Sequence, residues 1–414
     1  MQRINWRRIF IAAALVTLPI VYVLLWLRMI SSPTERTGAD FVAFYTSGRI
    51  AQSHGAAKVY EPALQQAVQQ ELVGFPLAPG QVLLYNHVPY LIPITAILVS
   101  ENYVASFYRW LGLLLALSIA GVVLLTGLFR RDAWGRREIW LAAAGMLTFF
   151  PLFVSLLNGQ DTAFILLGLS IFLFGMLTGK DWLAGLGLAL TTVRPHVTVL
   201  LAVPFLFRRQ KVLGWFCAGA ALLGLLSLAI MGLDGMRGFL QVLLVTAGGE
   251  WYGMKEPFMV NLVGLLWRTV PGLGGTSIRG IGWTVYGLTL AGLCVLWAHS
   301  REITEKQIGL AVTLTLFSVP HLHYHDLALL LIPIAALVLY LVRGGSLEIK
   351  KAALAPLGIS VAFLFSNFAP ILKYNFPYLT MLILVLALWL PGTQAGKNIF
   401  GRWKLSETTR QADP

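Results

Sequence analysis

The sequence predicts an all-α integral membrane protein that crosses the bilayer many times, on three observations. Hydrophobic residues make up 57% of the 414 residues, whereas Asp, Glu, Lys and Arg make up only 12%, about half of what a soluble globular protein carries. Apolar runs recur from Ile9 to Leu390, and a helix needs about 20 apolar residues to cross the hydrocarbon core. These runs lack the strict alternation of a membrane β-strand. A soluble enzyme and a membrane β-barrel are both excluded.

The basic residues determine the predicted topology. The formal net charge is +13, and we assign the excess of Lys and Arg to cytoplasmic loops rather than to nucleic-acid binding. All basic clusters can be cytoplasmic if two segments are broken or re-entrant: 83–100, which two prolines interrupt, and 182–206, which Arg194-Pro195 interrupts. The sequence then predicts ten crossings, or up to twelve if the broken segments also cross. The predicted spans lie near 9–30, 107–129, 139–157, 161–178, 212–231, 279–298, 307–320, 326–342, 352–369 and 376–391.

We expect a single transmembrane domain over residues 1–400, followed by a polar cytoplasmic tail over 401–414. The first apolar stretch is too long for a signal peptide and has no small-residue cleavage site, which indicates an uncleaved helix. Cys217 and Cys294 both lie inside apolar runs, so a disulfide framework is not expected. The segment 31–82 is predicted to be an exoplasmic loop with amphipathic helices.

The first of the polar motifs lies in this loop and begins at Asp40. Phe41, Phe44 and Tyr45 follow at helical spacing, which predicts a short amphipathic helix lying in the membrane interface. Asp40 then either caps this helix or presents a carboxylate for chemistry. Residue 43 is Ala, so the reciprocal capping box is absent.

Tyr85 and His87 open the broken segment 83–100. Its prolines free backbone groups that lipid cannot satisfy, so the segment must be buried in protein or line a wet cavity. Both side chains are therefore predicted to face that cavity; the alternative is an interfacial aromatic belt.

The stretch Asn158-Gly-Gln160-Asp161 separates two apolar runs. It predicts a tight turn in which Asp161 caps the following helix, with amides that could hydrogen-bond sugar hydroxyls.

Arg194-Pro195-His196 lies near the middle of an apolar segment. An Arg at the bilayer centre costs at least ~2.5–3.5 kcal/mol on insertion scales, so it usually faces a partner or a water-filled cavity. Guanidinium groups bind phosphate bidentately, which favours an anionic ligand. The alternative is an ion pair with an internal carboxylate such as Asp326.

Three of the seven histidines, His321, His323 and His325, fall within six residues that end at Asp326. Histidines two apart suit metal ligation from an extended segment, so a zinc or copper site is one interpretation. A turn that binds phosphate or sugar and a merely interfacial polar turn are the others.

Taken in chain order, these motifs resemble glycosyltransferase family 87, a family of membrane mannosyltransferases with the C-type glycosyltransferase fold. The resemblance runs from about residue 38 to 335. It departs from the family at two places: Tyr85-Asn-His-Val-Pro89 stands where members often have paired prolines, and Arg194-Pro195 stands where many have Lys-Pro. The motifs that carry the resemblance are Asp40-Phe-(x3)-Tyr45, Tyr85-(x3)-Pro89, Asn158-Gly-Gln160, Arg194-Pro195-His196 and His323-x-His325-Asp326.

The resemblance implies an inverting transfer of a hexose, with mannose suggested by the family, from a polyprenyl-monophosphate donor to an acceptor hydroxyl. The acceptor would be a glycolipid, a polysaccharide or a protein on the exoplasmic side of a bacterial inner membrane, and no cofactor or metal is implied. Asp40 would be the general base, and Arg194, His196 and His325 would bind the donor phosphate. The residues expected to contact substrate are Tyr45, Arg49, Tyr85, His87, Asn158, Gln160, His323 and Asp326.

Other classes stay open at this point. A transporter or flippase of lipid-linked sugars also has broken helices and intramembrane charge. A glycan ligase or polymerase with a lipid-diphosphate donor would use the same basic residues, and a His-metal enzyme would be built at 321–326. The sequence contains neither a Gly-Lys-Ser/Thr phosphate loop nor a dinucleotide fingerprint, so no nucleotide site is predicted.

Overall fold

The structure is a computed structural model that describes residues 6–31, 38–247 and 256–389. Within those ranges, helices are the only regular secondary structure. Seven of these helices are long and apolar enough to cross a membrane, or eight if one pair bent by 46° is a single span. The prediction of a multi-pass, all-helical membrane protein is confirmed. The predicted tail 401–414 lies outside the described residues.

The helices are numbered in chain order. They are α1 Trp6–Ser31, α2 Phe41–His54, α3 Pro62–Val73, α4 Ile92–Leu98, α5 Tyr103–Arg131, α6 Arg136–Leu147, α7 Phe150–Asn158, α8 Thr162–Leu177, α9 Asp181–Leu190, α10 Pro195–Ala202, α11 Gln210–Ala247, α12 Leu262–Thr269, α13 Gly275–His299, α14 Glu305–Ser318, α15 Leu331–Arg343, α16 Ile349–Ala352, α17 Ala355–Phe368 and α18 Pro370–Trp389.

The predicted crossings near 326–342 and 352–369 reach 20 residues because a 3-10 turn and α16 run directly into α15 and α17. Two other predicted crossings form helices shorter than a full span. The helix near 161–178 is α8, with 16 residues, and the helix near 307–320 is α14, with 14 residues. Each is cut short by a polar turn at one end: 158–161 precedes α8, and 319–323 follows α14. Both turns lie inside the protein, where side chains rather than lipid surround the backbone.

The segment 182–206 breaks at Arg194. Helix α9 ends in a 3-10 turn at Thr191–Val193, Arg194 has non-helical dihedrals (φ −122°, ψ 84°), and α10 begins at Pro195. The ring of a proline disfavours the helical conformation of the preceding residue and suits the first position of a helix. The Arg-Pro pair therefore interrupts the helix at the residue that carries the charge. The segment 83–100 is likewise reduced to a 3-10 turn and the short α4. The re-entrant course of both segments stays a prediction.

Glycines allow α8 and α9 to approach closely at the centre of the molecule, where α8 packs between α5 and α9. A Cβ added at Gly175 would lie 2.4 Å from the backbone nitrogen of Ala184, and one at Gly187 would lie 2.5 Å from that of Phe172. Small residues at such positions let membrane helices meet backbone to backbone.

Helix α2 differs from its prediction as an interfacial helix, because residues 41–48 are all buried in protein. The broken segment that contains α4 covers it. The side-chain amide of Gln52 donates to the carbonyls of Ala96 (2.7 Å) and Val99 (2.8 Å). These bonds supply partners for backbone groups at the end of α4 that lipid could not satisfy.

The turn between α7 and α8 is fixed against the start of α2. Gly159 has φ 71°, in the left-handed region that favours glycine, and its carbonyl accepts from the indole of Trp110 at 2.8 Å. The backbone N–H of Asp40 donates to the carbonyl of Asn158 at 3.1 Å. These contacts place the first-loop carboxylate beside the 158–161 turn.

Candidate active site

A cavity of about 360 Å³ forms where the first loop, the broken segment 83–100 and the polar turns at 158–161 and 321–325 meet. The start of α18 completes its wall. Its polar and charged lining residues are Asp40, Asn86, His87, Asn158, Gln160, Arg194, Thr246, His321, His323, Tyr324, His325, Lys373 and Tyr374.

Asp40 occupies the N-cap position of α2, but its side chain makes no capping hydrogen bond. The carboxylate lines the cavity instead, and it forms no ion pair with any residue in the described part of the chain. The cap interpretation therefore accounts for the position of Asp40 but not for its side chain.

Arg194 lies in a buried row of alternating acidic and basic side chains. Its Nη2 is 3.1 Å from Oδ1 of Asp161 and 3.6 Å from Oδ1 of Asp326. The other oxygen of each carboxylate faces a histidine: Nδ1 of His87 is 2.6 Å from Asp161, and Nε2 of His325 is 3.5 Å from Asp326. The ion pair with Asp326 that the sequence left open is present, with Asp161 as a second partner.

Asp326 lies behind the cavity wall and braces the histidine turn. Its Oδ1 accepts from the hydroxyl of Thr162 and its Oδ2 from the backbone N–H of His323, both at 3.1 Å. These bonds satisfy a carboxylate that is almost fully buried, and a buried charge is tolerated only when it is paired and hydrogen-bonded.

Three buried nitrogens on the cavity-lining residues have no hydrogen-bond partner: Nε of Arg194, Nδ1 of His321 and Nε2 of His323. An unsatisfied buried polar group costs about 1–3 kcal/mol, and a ligand that supplies the missing partner recovers that cost. Burial, followed by the charge of nearby histidines, lowers the pKa of His323 to about 4 and holds the pKa of His321 well below its ordinary value. Both rings are therefore neutral near pH 7.

A second cavity of about 190 Å³ lies on the other side of Arg194. Its wall includes His196 and an ion pair in which Nη1 of Arg279 is 3.2 Å from Oε1 of Glu256, but much of it is apolar. The two cavities share Asn86, His87, Arg194, Thr246 and His321. Arg194 thus stands between a polar chamber and a more apolar one.

The structure brings most of the predicted site residues to these cavities. The first cavity takes Asp40, His87, Asn158, Gln160, Arg194, His323 and His325, the second takes His196, and Asp326 lies behind the first. Three others lie outside both linings: the Tyr45 hydroxyl donates to the Glu101 carbonyl at 3.2 Å, Arg49 is 3.9 Å from Glu101, and Tyr85 is fully buried. Their contact with substrate stays a prediction.

Sequence reasoning assigned Asp161 only as a helix cap. Asp161 does stand at the N-cap of α8, but its side chain makes no capping bond and instead joins His87 to Arg194. The sequence did contain a signal for this ion pair. Asp161 begins a strongly apolar helix, and Arg194 lies in another apolar segment, so each charge needed a partner inside the protein. Lys373 and Tyr374 gave no such signal, because they reach the cavity from the far end of the chain.

The histidine turn does not gather metal ligands. Within the described residues, no group of three or more His, Cys, Asp or Glu side chains is placed to hold a metal ion. The imidazoles of His321 and His323 meet edge to face, with ring centroids 4.6 Å apart.

Comparison with known proteins identifies the family. The model of "Glycosyltransferase family 87" matches residues 87–320, which is more than half of the chain. That stretch begins at His87 and includes the 158–161 turn and Arg194, whereas Asp40 precedes it and His325 follows it. A search of curated proteins found no match. The chain belongs to glycosyltransferase family 87.

Proposed function

We propose that this glycosyltransferase moves a hexose, with mannose as the first sugar to test, from a polyprenyl-monophosphate donor to an acceptor hydroxyl. The acceptor is a glycolipid, a polysaccharide or a protein, reached from the exoplasmic side of a bacterial inner membrane. One observation carries the proposal: the uncapped carboxylate of Asp40 and the guanidinium of Arg194 line the same cavity of about 360 Å³. These are the two groups that such a transfer needs, a base for the acceptor and a cation for the leaving phosphate.

Asp40 is the general base in this mechanism. It removes the proton of the acceptor hydroxyl while that oxygen attacks the anomeric carbon of the sugar. The bond from that carbon to the phosphate oxygen breaks, its electron pair stays on the phosphate, and the sugar inverts its configuration. The absence of a capping bond supports this role, because a carboxylate that accepts no backbone N–H keeps its lone pairs for a substrate.

Arg194 stabilises the negative charge that develops on the departing phosphate, assisted by His325 in the first cavity and His196 in the second. Asp161 and Asp326 hold the guanidinium in place, and its Nε is free of protein partners.

The second cavity suits the lipid part of the donor. Leu243, Val263 and Trp283 contribute to its apolar lining, and Arg194 stands at its junction with the first cavity. A donor lying across this junction would place its phosphate at Arg194, its sugar in the polar chamber near Asp40, and its first isoprene units in the more apolar chamber.

The test is transfer by the purified protein in lipid, with labelled polyprenyl-phosphate mannose and a membrane-lipid acceptor pool. Wild type should form a labelled product, Asp40→Asn should lose it while still binding donor, and Arg194→Ala should lose both donor affinity and turnover. Asp234→Asn and Arg237→Ala serve as matched controls, because these two residues pair with each other on an exposed surface and line neither cavity.

Full activity in Asp40→Asn would remove Asp40 from the mechanism. Donor binding that depends on Arg194 but yields no product with any acceptor would favour a transporter of lipid-linked sugars. Competition by a lipid-diphosphate glycan, but not by the monophosphate sugar, would favour a ligase or polymerase.

A further inference from the structure

A groove of about 760 Å³ runs between α5 and α6. It is separate from the first cavity, which contains Asp40 and Arg194 and is called the catalytic cavity below. Helix α5 meets the catalytic region near its beginning, where Trp110 bonds to Gly159, and reaches the groove near its end. Its 29 residues span about 40 Å at 1.5 Å per residue. The groove and the catalytic cavity therefore lie toward opposite ends of the membrane-spanning region.

The groove is basic at one end and apolar along its length. Arg130 near the end of α5 and Arg136 at the start of α6 flank the turn that joins the helices, and Ile119 and Leu147 mark the far end. Eleven residues separate the basic from the apolar end on each helix, which is about 16 Å of helix. That distance is about half of a ~30 Å hydrocarbon core, the depth of one leaflet.

Neither groove arginine is engaged by a carboxylate of the described residues. No acidic residue lines the groove, and neither Arg130 nor Arg136 forms an ion pair within the described part of the chain. The acidic residue of the connecting turn, Asp132, is engaged elsewhere, with its Oδ2 2.8 Å from Nε of Arg343. Glu138, in the first turn of α6, is not part of the lining. The basic end is therefore open to an anion.

Trp134 adds a hydrogen-bond donor at the same end. It lines the groove, only 5% of the residue is exposed, and its indole Nε1 is buried without a hydrogen-bond partner. The indole is held by stacking on Phe129, with ring centroids 4.4 Å apart. A buried indole N–H normally has an acceptor, and a ligand in the groove would supply the one that is missing here.

We propose that this groove binds an anionic phospholipid of the leaflet on the side opposite the catalytic cavity. The lipid phosphate lies between Arg130 and Arg136 and accepts from the indole of Trp134, and an acyl chain follows the apolar wall toward Ile119 and Leu147. Guanidinium groups and tryptophan suit this depth, where a headgroup meets the hydrocarbon. The site is independent of the proposed transfer reaction.

The test is lipid retention by the full-length protein, measured by native mass spectrometry after extraction into detergent with added phosphatidylglycerol or phosphatidylcholine. Wild type should retain phosphatidylglycerol preferentially. The double variant Arg130→Gln/Arg136→Gln should bind it at least about tenfold more weakly, because each arginine near an anionic lipid surface contributes measurably to affinity. The matched control is Arg131→Gln/Arg137→Gln, which removes the same charge from the same exposed turn but lies outside the lining.

A second variant keeps the test decisive if the double variant does not fold. Val123 lines the groove with 61% exposure, so Val123→Trp would fill the groove while both arginines remain. Loss of phosphatidylglycerol in Val123→Trp supports the proposal. Equal weakening in the control pair, equal retention of phosphatidylcholine by wild type, or displacement of the lipid by glycerol phosphate would each overturn it.

Discussion

Asp161 holds His87 across 74 residues of sequence, with Oδ2 of the carboxylate 2.6 Å from Nδ1 of the imidazole. The His87 ring is packed between Phe44 and Tyr85, whose ring centroids lie 4.3 Å and 5.3 Å away. A histidine held in this way by one nitrogen has its tautomer and orientation fixed, and the other nitrogen is available to a ligand. Because His87 lines both cavities, the pair connects the buried charges to the space where substrates would meet.

Asp161→Asn should destabilise the protein strongly. The substitution leaves the more distant Asp326 as the one carboxylate paired with Arg194, and it removes the carboxylate that holds His87. Breaking a buried ion pair typically costs about 3–5 kcal/mol. Thermal unfolding in detergent would measure the loss, and donor binding would fall with it because the guanidinium is no longer held. The control is Asp181→Asn, which breaks a partly exposed pair with Arg209 and should cost no more than about 1 kcal/mol. Equal losses in the two variants would show that Asp161 is not part of a buried network.

Asp40→Asn separates the two interpretations of Asp40. Asparagine is as good an N-cap as aspartate, so a pure capping role predicts little change in stability or turnover. A general base predicts unchanged stability and a turnover lower by about 10²–10⁴-fold. Since the side chain makes no capping bond, we expect the second result, measured as initial rate beside the unfolding temperature. Retained turnover with an unchanged unfolding temperature would instead favour the capping role.

Short-range rules predicted the break at Arg194 because its causes are adjacent in sequence: a proline directly after a charged residue inside an apolar segment. The same rules failed for Asp161. They identified its N-cap position, but the direction of its side chain depends on Arg194, which lies 33 residues away. The burial of α2 was missed for the same reason, since α4 covers it and the pattern of α2 alone fits an interface. Local patterns could not show that the distant motifs belong to one site. The order of the motifs along the chain, which carries the family resemblance, predicted this.

Gly175→Ala should destabilise the contact between α8 and α9. Alanine usually stabilises a helix interior by up to about 1 kcal/mol over glycine, but here its Cβ would lie 2.4 Å from the backbone of Ala184. Since a backbone nitrogen cannot rotate away, we expect a net loss of about 1–3 kcal/mol. Gly127→Ala on α5 is the matched control: its Cβ would lie 3.6 Å from a Phe174 ring atom, an ordinary contact, so its stability should stay equal or rise. Unfolding temperatures of the two variants decide the matter, and a stabilised Gly175→Ala would contradict the packing of these helices.

His323 should make the protein less stable as the pH falls from about 6.5 to 4. Burial lowers the pKa of His323 to about 4 in the folded protein, whereas the unfolded chain binds the proton near pH 6.5. Between these two pH values the unfolded state binds more protons than the folded state. The free energy of unfolding therefore decreases as the pH is lowered, by about 3 kcal/mol in all, and levels off below pH 4. Unfolding temperatures of wild type and His323→Gln across this range would measure the effect. The variant should show a shallower decline, with the residual slope owed in part to His321, whose pKa is lowered in the same direction. Parallel curves for the two proteins would mean that His323 takes up its proton without unfolding, and that its ring reaches water in the folded state.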